Sequence, residues 1–290
     1  MPITTYWSIS PLSLRLSAVL HGGALTGLAL WPELWWWFGS AVVINHVLLF
    51  IAVLYPRSAI LGQNLTRLPS TAISRREIGL TFDDGPDPEI TPRILDILDQ
   101  YNAKASFFCV ASRAAIYPEV VRDIIRRGHS VENHSLQHSN YFAFLGWRAC
   151  KKEIHAAQQI LSAITGTAPQ FFRAPMGFRS PMLDAVLADQ GIVYVSWTRR
   201  GFDTVSRNPN RILARLLKKL RSGDILLLHD GIHWPKNRSP DMTLQVLPEL
   251  LQQLHREDYH VVSLPMAMSM LSDRVVEENT STSITAEYGM

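Results

Sequence analysis

The sequence predicts an α/β fold, a mostly parallel sheet wrapped by helices, preceded by one or two transmembrane helices. Two observations predict it. From Arg76 onward, seven short apolar runs alternate with amphipathic stretches, the pattern of strands and crossover helices. Before that, residues 1–56 hold two long apolar segments free of Asp, Glu, Lys and Arg.

The first segment, Leu16–Trp31, is interrupted by His21 and two glycines. The second, Trp35–Tyr55, reaches the roughly 20 apolar residues that span a bilayer. Trp31 and Trp35–Trp37 sit where interfacial aromatics belong if the two segments form a hairpin. Cleavage of a signal peptide would leave the second segment as an anchor, and no clear AxA site follows the first. Residues 1–56 are therefore expected to be a membrane anchor, a two-helix hairpin over about 14–31 and 35–55. Arg15 precedes the pair and Arg57, Arg67, Arg75 and Arg76 follow it, while the loop between carries only Glu33. By the positive-inside rule both flanks, and the large domain, belong in the cytoplasm. A single span would reverse that side.

Residues 57–76, with two prolines and no clean periodicity, read as a linker or surface-lying segment. The soluble domain is expected over 77–273. Its strand candidates are EIGLTF (77–82), ASFFCV (105–110), SVENH (130–134), FFRAP (171–175), IVYVSW (192–197), DILLLH (224–229) and HVVSL (260–264). Helix candidates fill the gaps: TPRILDILDQYN with Pro92 in its first turn, EVVRDIIRRG stopped by Gly128, and the stretches beginning at Trp147, Ser180, Asn208 and Met242. The sheet closes as a barrel or lies open as a doubly wound layer. The tail 274–290 lacks periodicity and is expected to be disordered.

Composition narrows the function classes. A net charge of +3 without any block of basic residues leaves out a nucleic-acid footprint. Cys109 and Cys150 lack CxxC spacing, so they read as buried reduced thiols, not a disulfide or thiolate zinc site. No protein partner is inferable.

Chemistry gathers after the strands. Thr81-Phe82-Asp83-Asp84-Gly85-Pro86-Asp87 puts two acids where a strand ends and a turn begins. One acid bound to a metal stays ionised while its neighbour remains free to take a proton from water, although Asp with Gly-Pro also serves turns. His134-Ser135-Leu136-Gln137-His138 places two histidines four apart, as on one face of a helical turn. With the upstream acid they make a two-His, one-carboxylate set with room for water, which a hydrolytic metal site requires. His233-Trp234 reads as loop or substrate contact.

In these motifs the sequence resembles the polysaccharide deacetylases with a NodB-homology domain, carbohydrate esterase family four. TFDDGPD and HSLQH resemble the first two motifs, Arg173-Ala174-Pro175-Met176-Gly177 the third, Trp197 to Asp203 the fourth, and Leu226-Leu227-Leu228-His229-Asp230 the fifth. The resemblance covers residues 77 to about 265. It implies a distorted (β/α)7–8 barrel, with Asp84, His134 and His138 holding a divalent metal, expected to be Zn2+ with Co2+, Ni2+ or Mn2+ as alternatives. It makes Asp83 the general base, Arg173 its orienting partner, His229 the general acid and Asp203 the residue that orients His229. Pro175, Met176 and Gly177 would contact substrate, the Met176 N–H would help hold the oxyanion, and Leu227 would line the pocket for the acyl methyl. Two departures stand out: Met176 replaces the family's usual aromatic, and Asp203-Thr204 replaces Asp-Trp. Arg200 also stands where another acid is often found.

The implied activity is metal-dependent removal of an N-acetyl or other small acyl group from an amino sugar, at the inner membrane of a bacterium. With the domain in the cytoplasm, the expected substrate is a sugar carried on a polyprenyl phosphate or another cell-envelope glycan precursor. Alternatives are a periplasm-facing peptidoglycan or exopolysaccharide deacetylase, and an inactive membrane-tethered carbohydrate-binding protein.

Overall fold

The structure, a computed structural model, describes residues 10–231 and 241–269. The expected tail at 274–290, the last residues of the expected domain and His233-Trp234 lie outside the described residues. The two apolar segments form helices α1 (Leu12–Leu30) and α2 (Trp35–Leu54), joined by a 3-10 turn at Pro32–Leu34. Asn45 Nδ2 donates to Ser17 Oγ at 2.8 Å, the His21 and His46 rings meet edge to face, and the Phe38 ring covers Gly27. Ser17, near the start of α1, meets Asn45 in the second half of α2, whereas Gly27, near the end of α1, meets Phe38 at the start of α2, so the helices are antiparallel. Val19, Leu25, Val43, Val47 and Phe50 remain exposed on them. Pro32–Leu54 is the one helix among the described residues long and apolar enough to cross a membrane.

Residues 57–76 follow the edge of the domain. Leu65 and Arg67 bridge to Val195 and Asp224, a short helix α3 (Ser70–Ser74) follows, and Leu61, Leu68 and Ala72 are buried. The reason is distant in sequence. Arg179, fully buried, donates to the carbonyls of Ser58, Leu61 and Gly62 and so satisfies backbone groups that no local element could.

The sheet consists of β1 (Glu77–Asp83), β2 (Ser106–Cys109), β3 (Ser130–Asn133), β4 (Phe171–Phe172), β5 (Val193–Tyr194), β6 (Arg199–Arg200), β7 (Ile225–His229) and β8 (His260–Val262). Every pairing is parallel, in the order β5-β4-β3-β2-β1-β7-β6, with β8 on the first half of β1. The helices between are α4 (Ile90–Gln100), α5 (Ala111–Ile116), α6 (Pro118–Arg126), α7 (Trp147–Thr165), α8 (Leu183–Gln190), α9 (Pro209–Leu217) and α10 (Asp241–Arg256). The seven expected strands all form; β6 and α5 are additional.

Alternation along the strands sorts the core into an outer and an inner layer. Leu80, Phe82, Phe107, Leu226 and Leu228 pack with the helices. Phe108, Phe171, Val195, Trp197, Ile225 and Leu227 form a second cluster, although β4 and β7 are not neighbours in the sheet. Residues from separated strands meet there because the sheet curls onto its own inner face. The architecture is thus an incompletely closed parallel barrel with outer helices, not a doubly wound layer. Cys109 and Cys150 are both buried and free.

Candidate active site

The parallel strands deliver their C-terminal ends to one mouth, where ligands of such folds bind. Asp83 is the last residue of β1 and pairs in register with His229, the last residue of β7. His134 follows β3, and Arg173 follows β4. Thr81 and Asp83 point inward because Leu80 and Phe82 point out to the helices.

After β1 the chain turns sharply, with Asp84 in the left-handed region at φ 76°. Gly85 passes so close to the Asp230 carboxylate that a Cβ would lie 2.1 Å from its Oδ2, and a Cβ on Gly231 would lie 2.4 Å from the Asp84 carbonyl oxygen. Those approaches require glycine and fix the acid pair against the end of β7. Asp230 accepts from Gly85 N and, at 2.7 Å, from Thr91 Oγ1, and burial pushes its carboxyl up to about 7.

His134 and His138 do converge on Asp84, but not from a helical turn. Residues 134–138 are irregular, with Ser135 at φ 68° and His138 at φ 51°, both incompatible with a right-handed helix. Asn133 Oδ1 accepts from Ser135 N, and Ser135 Oγ accepts from His138 N, replacing the hydrogen bonds a helix would have made.

Arg173 is fully buried, its guanidinium 4.0 Å from the Phe108 ring centroid. It donates to Asp83 Oδ1 at 2.6 Å, Thr81 Oγ1 at 2.9 Å and the Ser196 carbonyl at 3.0 Å. One oxygen of Asp83 is thereby committed, leaving Oδ2 turned toward the histidines, 4.0 Å from His134 Nε2. On the opposite side His229 Nδ1 lies 3.0 Å from Asp203 Oδ1, while Asp203 Oδ2 accepts from the His229 N–H at 2.8 Å. Thr243, unremarked in the sequence, places its hydroxyl 2.8 Å from the same Oδ2. Burial alone would lower the pKa of His229, but the charges of Asp203, Asp84 and Asp83 raise it to about 9.

The donor set fits a divalent cation. One ligand atom each from Asp84, His134 and His138 lies within 4.8 Å of the others. His134 Nδ1 faces the Arg173 carbonyl at 2.8 Å, and since a carbonyl only accepts, Nδ1 carries the ring proton. Its other nitrogen, Nε2, lies 3.2 Å from Asp84 Oδ1, which is also 3.0 Å from His138 Nε2. That oxygen is buried and has no well-formed hydrogen bond. Burial would raise the Asp84 carboxyl, yet the two imidazoles hold it well below the usual carboxylate range. Three donors therefore face one point that needs positive charge, and the backbone carbonyl behind His134 is the orienting partner that metal-binding histidines use.

These groups line a cleft of about 760 Å³. Leu227, Met176 and Gly177 lie on its wall, whereas Pro175 is buried and is not among the lining residues. Met176 takes a left-handed conformation at φ 58°, and its N–H stands outside the turn's own bonds, which run from Gly177 N to Ala174 O and from Phe178 N to Pro175 O. Thr204, in place of the usual Trp of the fourth motif, lines the cleft, and the Arg200 guanidinium lies within 5.5 Å of both the Trp197 and Phe202 ring centroids. Leu54, Tyr55, Pro56 and Arg57, at the end of α2, also line it. No sequence signal placed those four at the cleft.

A polysaccharide deacetylase family model matches residues 71–195. A chitooligosaccharide deacetylase of Bradyrhizobium is 33% identical over 196 residues, covering 66% of this chain and 90% of the relative. A peptidoglycan-N-acetylglucosamine deacetylase of Bacillus cereus is 30% identical, covering 64% of this chain and 85% of that protein. Among solved structures, a peptidoglycan N-acetylglucosamine deacetylase bound to an N-oxidanyl-benzamide compound is similar with a TM-score of 0.65, at 28% identity over 71% of this chain and 92% of that one. A family 4 carbohydrate esterase from Streptomyces lividans, in complex with acetate, gives a TM-score of 0.58 at 30% identity, covering 64% of this chain and 91% of that one.

Proposed function

Because the chain belongs to the polysaccharide deacetylase family and is a carbohydrate deacetylase, we propose that it removes an N-acetyl or other small N-acyl group from an amino sugar at a membrane surface. The observation that carries this reading is the convergence of the buried Asp84 Oδ1, itself without a well-formed hydrogen bond, and the two histidine Nε2 atoms on one point. A divalent cation bound there, with Zn2+ the first candidate and Co2+, Ni2+ or Mn2+ the alternatives, supplies Lewis acidity that polarises an amide carbonyl and acidifies water.

The remaining roles follow from what each side chain can do where it stands. Asp83, with one oxygen pinned by Arg173, presents the other to take a proton from the attacking water. His229, kept protonated by Asp203, gives a proton to the departing sugar nitrogen, which leaves poorly as an anion. The Met176 N–H donates to the oxygen that gains charge, a contribution worth about 3 kcal/mol for comparable donors. Leu227 offers an apolar wall to the acyl methyl. The intact set argues against an inactive sugar-binding protein.

Substrate choice follows from the anchor. The antiparallel pair α1–α2 supports a hairpin, which returns the chain to its starting side, and the flanking arginines favour the cytoplasm. Residues at the end of α2 line the cleft, which supports as substrate a sugar held at the membrane surface on a polyprenyl phosphate. A peptidoglycan substrate, as in the names of the Bacillus relatives, is the second reading and requires the domain on the other side. A C-terminal reporter active only outside the cytoplasm would select it. Acyl release assayed with and without chelator tests the enzyme reading, and a metal-loaded protein that binds sugar without turnover would refute it.

A further inference from the structure

Resting on the deacylase reading, we propose that Arg57 and Arg200 form an anion subsite in the cleft, which takes the phosphate of a sugar phosphate ester and sets it beside the end of α2.

Most arginines near this junction are already neutralised. Arg67 and Arg199 pair with Asp224 at 3.1 and 3.2 Å, Arg75 with Glu77 at 2.6 Å, and Arg173 with Asp83 at 2.6 Å. Among the described residues, Arg57 and Arg200 have no carboxylate within ion-pair distance, and both line the cleft that holds the metal donors. The only carboxylates on its described lining are Asp83 and Asp84, both engaged at the floor. The rim is thus positive without internal compensation, and a bound anion would offset that charge.

The two cations share one strip of chain. Arg57 Nη1 donates to the Thr198 carbonyl at 3.4 Å, two residues before Arg200, and its guanidinium lies 5.9 Å from the Tyr55 ring. Arg200 is held between Trp197 and Phe202, 5.5 and 5.0 Å from their ring centroids, and its buried Nε has no hydrogen-bond partner. A planar guanidinium fixed by aromatic faces, with donors to spare, matches phosphate oxygens better than hydroxyls of a neutral polymer.

The neighbouring wall specifies the ester. Leu54, Tyr55 and Pro56 carry the exposed apolar surface of α2 into the cleft, so an anion held by Arg57 sits where hydrocarbon can follow. An amino sugar linked through phosphate to a long apolar alcohol meets the metal donors, the arginines and the helix in that order. A neutral chitooligosaccharide meets only the first.

The test is calorimetric titration of the full chain, in phosphatidylcholine nanodiscs, with N-acetylglucosamine 1-phosphate and with N-acetylglucosamine. The native protein should prefer the phosphate. Arg57→Gln and Arg200→Gln should each cut that preference roughly tenfold, as loss of a charged hydrogen bond to phosphate does, and the Lys variants should recover part of it. The proposal is overturned if both Gln variants keep the native preference, or if Lys at position 200 loses as much as Gln, which would make Arg200 a stacking spacer. Dioctanoyl phosphatidylglycerol is the third titrant; weakening confined to it would assign the arginines to lipid headgroups and also overturn the proposal. Because binding is read without turnover, a protein that releases no acyl group refutes the deacylase reading while these titrations still decide the anion subsite.

Discussion

At the floor of the cleft His134 is 1%, Asp83 4% and His229 6% exposed, and Arg173 behind Asp83 is 0%, whereas at the rim Met176 is 48% and Phe202 43% exposed. Floor side chains are held by several partners at once, as Arg173 is by Phe108, Thr81, Asp83 and Ser196. Rim side chains such as Met176 and Val205 stand out into the mouth of the cleft with much of their surface in solvent. The difference separates two jobs. Buried, prealigned charge serves the chemistry, where reorganisation would slow every turnover, and the exposed rim selects what enters.

Floor substitutions should therefore strike turnover, and rim substitutions affinity. Asp84→Ala is expected to have the largest effect, removing metal and activity together and lowering kcat/KM roughly a thousandfold or more, as loss of a Lewis acid worth several kcal/mol implies. Metal analysis beside the assay checks it. Asp83→Asn should keep its metal and lose about 10²- to 10⁴-fold in kcat. It should also lower the Tm, because the buried Arg173 guanidinium loses its countercharge. Normal turnover in this variant would break the assignment of the base.

Asp203→Asn acts one step back from the reacting groups. Its effect should be about tenfold to a hundredfold in kcat near neutrality, below the roughly 10²- to 10⁴-fold expected when an acid or base is lost outright. Its signature is the pH profile. His229 titrates at about 9 in the fold against 6.5 without partners, so the acid form is present below about 9 and lost above it. Removing the Asp203 charge lowers that value, and the alkaline limb of kcat should move to lower pH. The linked stability has the same sign: the contribution of His229 is complete below 6.5 and disappears as pH rises through about 9. An unmoved limb would detach Asp203 from His229.

Arg179→Met should leave the carbonyls of Ser58, Leu61 and Gly62 without their donor and destabilise the packing of residues 58–62 on the barrel by roughly 2–4 kcal/mol, read as a fall in Tm. The smallest effect is expected for Met176→Ala. The oxyanion donor is a backbone N–H, so the change should alter KM less than about fivefold, as an exposed apolar contact of under 1 kcal/mol does, and spare kcat. A large fall in kcat there would blur the division between floor and rim.

The same division decided what could be read from sequence. Asp83, His134, Arg173 and His229 each lie at or just after the end of an apolar run, so a local pattern places them on one mouth of the sheet. The histidine pair shows the limit of local spacing, for the right residues converge through left-handed turns at Ser135 and His138 instead of a helix. β6 escaped notice because a two-residue Arg-Arg strand has no periodicity. Residues 57–76 owe their position to Arg179, far along the chain, and Leu54–Arg57 reach the cleft only because that segment is held in place. Such contacts leave no trace in neighbouring sequence.

A metal-dependent deacylase built on Asp84, His134 and His138 stands or falls on one measurement: acyl release from an N-acetylglucosamine-containing substrate by the full chain, before chelation, after chelation and after Zn2+ is restored. Release should stop on chelation and return with one equivalent of Zn2+ in the native protein, but not return in Asp84→Ala. Release that survives chelation, or returns equally in Asp84→Ala, would contradict it.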